Sequence, residues 1–175
     1  NYRYLPLDSV YHTHLFPDLM LSNEDIEFNA PYSYSLEKIY VGVPYKFDGK
    51  PGDFLLIYRM GNIGTSKAYS SVITGVGIIN EVKIIDNFDK LQDICKQKCV
   101  LTREELEINF TSGNCKALVI KLIYYKAFKK KIILHKLWDN DIIQPYGGPR
   151  LSDKATKEQF DTIKRLGGGF KDEKE

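Results

Sequence analysis

Apolar and polar positions alternate along this chain in a way that marks out short strands separated by turn chemistry. Residues 38–43 (KIYVGV) pattern as a short strand. The turn cluster 47–53 (FDGKPGD), with two glycines and a proline, leads into 54–59 (FLLIYR). A continuous apolar run of that length suits a strand buried on both faces. A loop over 61–66 follows, and then 70–82 (SSVITGVGIINEV) predicts a second central strand carrying Gly75 and Gly77. Glycines two apart lie on one face of a strand, where they mark a bend or clear room for a closely approaching backbone or ligand. Further on, 117–125 and 131–135 read as two strands of a hairpin joined by a lysine-rich connection.

Helical spacing is sparser. Ser22 followed by Glu24 and Asp25 predicts a short helix start. Phe88, Leu91, Ile94 and Cys95 fall on one helical face. Thr102 with Glu105, and Thr156 with Gln159, are capping boxes, the second opening a helix that buries Phe160, Ile163 and Leu166. Gly167 to Gly169 ends it. The opening segment through 11–17 (YHTHLFP) lacks a clear period and is expected as extended chain and loops.

Composition agrees with a sheet-rich fold. Twelve Tyr and nine Phe stand against one Trp and two Met in 175 residues, and Tyr and Phe favour pleated, half-buried surfaces. Such a length fits one domain, expected over 1–175 with a charged tail from 170 to 175. No apolar run approaches the roughly 20 residues that cross a bilayer, so no membrane partner is expected; Cys95, Cys99 and Cys115, an odd number with no framework spacing, read as reduced thiols of a cytoplasmic protein. The chain begins at Asn1 without Met, which suggests either processing or excision from a longer protein. Net charge is only +2, but its distribution is uneven. Residues 1–60 hold eight acids and five bases, whereas 116–136 hold seven Lys, one His and no acid. Lysines interleaved with Tyr124, Tyr125 and Phe128 suit a surface that tracks a phosphate backbone and stacks bases. A strand face solubilised by Lys is the alternative.

Little in the chain points to catalysis. Cys95 and Cys99 are four apart and share a helical face, but zinc needs two more ligands at recognisable spacing and none is present. His12 and His14, two apart, point the same way if the segment is extended; a metal would still lack partners. No GxSxG, HExxH or Cys-His signature occurs, and general acid–base chemistry needs such a constellation. No cofactor and no metal are expected. The triplet Gly167 to Gly169 follows a helix, whereas a phosphate loop must precede one.

The segment 51–59 (PGDFLLIYR), then a loop, then 71–82 (SVITGVGIINEV), resembles the core of the EVE and ASCH branches of the PUA-like superfamily. The stretch 142–152 (IIQPYGGPRLS) leading to 158–163 resembles the ending of such modules. In particular it is similar to those appended C-terminally to GNAT-type acetyltransferases, where a YHTHLFP-like segment precedes the module. The resemblance spans about residues 10–166. It implies a mixed α/β, PUA-like pseudo-barrel of mostly antiparallel strands with three or four short helices. It also implies binding of RNA, or of DNA carrying a modified base flipped into an aromatic-lined pocket. An acetyltransferase domain in the parent chain is a further implied partner. The Lys, Glu and Arg pattern of catalytic ASCH relatives is not found, since only the adjacent Glu37 and Lys38 lie in the right region.

On this reading Tyr58 and Arg59 end a buried strand at the pocket rim. Ser71 and Thr74 supply contacts from its neighbour, His12 and His14 cover the mouth, and Trp138 forms a stacking wall. A core position is the alternative for Trp138. Lys121, Lys129, Lys130 and Arg150 are expected on phosphates. Two rival functions remain: a regulatory or protein-interaction module attached to an acetyltransferase, and a small hydrolase of modified nucleosides in the same pocket.

Overall fold

The computed structural model describes residues 1–19, 32–61, 65–96 and 99–171. The helix expected from Ser22, positions 62–64 of the expected loop and 172–175 of the expected tail lie outside them. Six strands form one sheet, β1 (Tyr2–Leu7), β2 (Glu37–Gly42), β3 (Phe54–Arg59), β4 (Val72–Ile85), β5 (Ala117–Ile133) and β6 (Lys154–Ala155). Their spatial order is β2-β5-β4-β3-β1-β6. Only β1 and β3 run parallel; every other pair is antiparallel. Helices α1 (Ser9–Leu15), α2 (Lys67–Ser70), α3 (Phe88–Cys95), α4 (Arg103–Ser112), α5 (Leu134–Asp139) and α6 (Lys157–Leu166) pack around it. That makes six helices among the described residues where three or four were expected.

The turn before β3 shows why the sequence folds as it does. Gly52 adopts a φ of 92°, which a side chain would resist, and its N–H donates to the Ile79 carbonyl at 2.8 Å. Asp53 accepts from the Lys50 N–H at 3.0 Å and, through Oδ2, from Arg3 Nε at 3.0 Å. Arg3 is buried on β1, so one carboxylate closes the turn and ties β1 to β3. Burial by itself would raise the Asp53 pKa; the Lys50 N–H and Arg3 outweigh it and hold the carboxyl below its usual value. Leu55, Leu56 and Ile57 are fully buried, each contributing about 1.5–3 kcal/mol of apolar burial. In β4, Gly77 faces Leu55 and Gly75 faces Ile57.

Two expectations about local structure are corrected. The segment expected to be extended around residues 9–15 is helical, with Asp8 as N-cap accepting from the Tyr11 N–H at 2.9 Å. His12 and His14 therefore do not point the same way. Two residues of helix turn the chain by about 200°. Likewise the expected hairpin over 117–135 does not form, because β5 is one strand of 17 residues that runs straight into α5. Capping boxes at Thr102 and Thr156 are present with both reciprocal hydrogen bonds.

Candidate functional site

The β4–β5 ladder opens at one point. Ile73 pairs with Ile132 and Gly75 pairs with Ala127, so Thr74 alone lies opposite residues 128–131. Those residues leave β4 because the chain after α6 takes them instead. Lys129 N–H donates to the Gly169 carbonyl at 2.9 Å, Lys130 N–H to Gly167 at 2.8 Å, and Lys171 N–H to Ala127 at 2.8 Å. Phe170 stacks on Phe128 with ring centroids 5.1 Å apart and is buried. The chain is thus packed through Phe170, where a charged tail was expected to begin. Gly168 and Gly169 make the turn with φ of 70° and 83°. The glycine triplet thus docks the end of α6 onto β5.

The resulting gap is a cavity of about 280 Å³ lined by Asp18, Leu19, Thr74, Ala127, Phe128, Lys129, Lys131 and Lys171. Three lysines against one aspartate make it electropositive. Gly75 keeps the lower edge closed, since a Cβ there would meet the Lys126 carbonyl oxygen at 2.8 Å and the Ala127 Cα at 3.3 Å. Behind Thr74 sits His12, fully buried, its Nε2 sharing a hydrogen bond with Thr74 Oγ1 at 2.9 Å. Among the described residues the His12 Nδ1 has no hydrogen-bond partner. Burial, and then the positive charges of Arg59 and Lys131, push its pKa from 6.5 down to about 3. His12 is a neutral imidazole at physiological pH.

The other predicted site residues are distributed more widely. Arg59 is buried and its charge acts on His12, which groups it with Thr74. Ser71 is buried and its Oγ accepts from the Gly61 N–H at 2.9 Å, a structural tie. Tyr58 belongs to a core cluster with Ile73, Leu134 and Leu137, against which Trp138 packs. His14 meets the Tyr32 ring edge-on at 4.8 Å. Lys129 lines the gap, whereas its neighbour Lys130 is exposed and does not line it. Arg150 is exposed, with its N–H on Asp153. Lys121 lies in a different cavity of about 450 Å³ that also includes Glu37, Glu81 and Asp93, and it pairs with Glu81 at 3.3 Å. With three acids against Lys38 and Lys121 in that lining, the surroundings of Lys121 favour phosphate less than those of Lys129. So His12, Arg59, Thr74 and Lys129 come together, while Tyr58 with Trp138, and Lys121, lie elsewhere. Asp18, Lys131 and Lys171 were not singled out from the sequence, although Lys131 sits in the lysine run that drew attention.

This mixed α/β architecture, an open and mostly antiparallel six-stranded sheet flanked by helices, has the PUA-like fold expected from the sequence, and two solved structures share it. ASCH from Zymomonas mobilis superposes with a TM-score of 0.63 at 14% identity, covering 94% of this chain and 94% of its own. The human THYN1 protein, in a complex with DNA containing 5-methylcytosine, superposes with a TM-score of 0.50 at 12% identity, covering 99% and 98%. No protein-family model and no curated protein sequence matches the chain. Among the described residues no helix is long and apolar enough to cross a membrane.

Proposed function

We propose that this chain is a nucleic-acid-binding module whose primary contact is the cationic gap at Thr74. The observation that carries this is the convergence of Lys129, Lys131 and Lys171 on one opening in the sheet. Ammonium groups around a small cavity suit phosphate, and the Leu19, Ala127 and Phe128 walls suit an inserted base face. At about 280 Å³ the cavity is at the small end of ligand pockets, with room for one nucleotide group. A fold neighbour that binds 5-methylcytosine DNA supports the class of partner. The base that enters, methylated or not, is the finer part of the proposal.

The hydroxyl–imidazole pair Thr74–His12 invites the hydrolase alternative, because a nucleophile needs a base within reach. An imidazole held neutral by burial and by neighbouring cations is a poor proton acceptor. Thr74 is itself only 2% exposed. The pair therefore serves better as the fixed floor of a binding site. Substituting Lys129, Lys131 and Lys171 together by Ala tests the proposal by fluorescence anisotropy with a labelled oligonucleotide across a salt series. Each phosphate that a lysine no longer neutralises flattens the slope of log K against log salt by about 0.7–0.9, so a change of about two units is expected. Unchanged affinity and slope overturn it.

A further inference from the structure

Four aromatic rings form a continuous chain across the surface at the end of β4 and β5. Tyr69 stacks on His135 with centroids 5.1 Å apart and planes at 16°. His135 lies 6.1 Å from Trp138 with planes tilted by 54°, and Trp138 lies 5.6 Å from Tyr146 with planes tilted by 48°. The outer two stand out into solvent: Tyr69 is 61% exposed and Tyr146 89%. Burial does not account for either ring. Tyr146 is also held at a φ of 68°, a left-handed conformation that costs a residue with a Cβ free energy. Trp138 is half-buried, and its Nε1–H already donates to the Gly147 carbonyl at 2.8 Å. With that donor engaged, the indole has no N–H left to offer a ligand.

On the elements that carry the strip, bases slightly outnumber acids, with Lys67, Lys136 and Arg150 exposed against exposed Asp139 and Asp141. The position of a Cβ on Gly148 would lie 3.2 Å from Lys67 Nζ, which places that ammonium beside the Gly147 that holds Trp138. Asp139, the acid at the end of α5, is engaged by His135 Nδ1 at 3.1 Å. The strip lies at the same end of the sheet as the gap. Val72 pairs with Ile133 and Ile73 with Ile132, and the Leu134 N–H donates to the Ser71 carbonyl at 2.9 Å. Only two strand residues, about 7 Å, separate Thr74 from Val72, beyond which α2 and α5 present Tyr69 and His135.

We infer that Tyr69, His135, Trp138 and Tyr146 form a stacking platform for unpaired bases of a single strand whose backbone enters the cationic gap. Aromatic faces take any base, because every base has a π-face, and only an unpaired strand can lay its base faces on them. This rests on the nucleic-acid reading of the gap and adds a strand type and a path to it.

Trp138 is the only tryptophan in the chain, so its emission reports the contact directly. The probe is a single-stranded thymidine oligonucleotide of twelve residues, with a blunt duplex of the same length beside it. Stacking quenches Trp138 emission with the single strand. Replacing Tyr69→Ala together with Tyr146→Asn, an asparagine tolerating left-handed backbone, removes two exposed rings without touching the core. Affinity for the single strand is expected to fall about ten- to a hundredfold, and that for the duplex to stay as it was. If the single strand binds through the gap lysines while Trp138 emission is unchanged and the Tyr69/Tyr146 variant binds like the native chain, the platform is overturned and the gap proposal stands. If neither oligonucleotide binds the native chain, both fall.

Discussion

Replacing Thr74 by Val removes one oxygen from the floor of the gap and keeps the side-chain shape. The partner left behind is His12, fully buried, whose Nδ1 already has no hydrogen-bond partner among the described residues. After the change Nε2 is deprived of its 2.9 Å bond as well. A buried polar group stripped of its partner costs about 1–3 kcal/mol, more than the net worth of the bond itself. Removing both partners is different, because an apolar pair of similar shape can be nearly neutral. His12→Leu with Thr74→Val should therefore cost clearly less than the two single changes added together, with a coupling of about 1–2 kcal/mol. The assay is urea unfolding followed by far-UV circular dichroism on the native chain, both singles and the double. For a chain of this length each kcal/mol corresponds to about 2–4 °C in Tm, so Thr74→Val alone should lower Tm by about 2–12 °C. A loss under about 0.5 kcal/mol for Thr74→Val, with zero coupling, would refute the view that the pair is a fixed structural floor. Thr74 would then be free to serve the cavity.

The same buried histidine sets a pH dependence. Because the folded-state pKa of His12 lies near 3 and the unfolded value near 6.5, the unfolded chain binds the extra proton between those values. Stability is then lost as pH falls through that window, at up to about 1.4 kcal/mol per pH unit from this residue. His12→Phe should flatten the pH dependence of the urea midpoint there, and an unflattened curve would show that His12 is solvated. The glycines separate backbone strain from crowding. Gly52→Ala, where a Cβ meets nothing within 4 Å but φ is 92°, should cost about 1–2 kcal/mol by thermal melting. Gly75→Ala should cost more and also displace β5, seen as altered amide exchange at Ala127, because its Cβ meets backbone.

What the sequence made legible was what local chemistry decides. The buried run of β3 and two capping boxes each depend on residues within a few positions of one another, and the Gly75 and Gly77 segment that pairs with β3 is the next strand along the chain. The β5 misreading had a distant cause. Lysines at 129–131 look like a connection, yet the strand continues because Lys129 and Lys130 find carbonyls at Gly169 and Gly167, some 40 residues on. No local pattern announces such a partner. The same exchange of partners creates the cavity at Thr74, so the site was hidden together with the strand. The α1 misreading had a visible cure. His12, Leu15, Phe16 and Leu19 are all buried, and their spacing of three, four and seven is that of a helical face. Counting His12 as polar concealed it, although Asp8 stands where an N-cap should.

Strand geometry alone divides the expected pocket. Tyr58 and Arg59 are adjacent on β3, and adjacent strand residues point to opposite faces of the sheet. Both therefore cannot line one floor, whatever lies around them. The structure follows that rule, with Tyr58 among Ile73, Leu134 and Leu137 and Arg59 acting on His12. Trp138 goes with Tyr58 because α5 begins where β5 ends and packs on the same cluster. The aromatic and cationic parts of the expected pocket are thus divided between two faces at one end of β4 and β5. A ligand that needs both must be long enough to run from one to the other. A flexible polyanion with many faces to stack meets that requirement; a single small nucleoside does not.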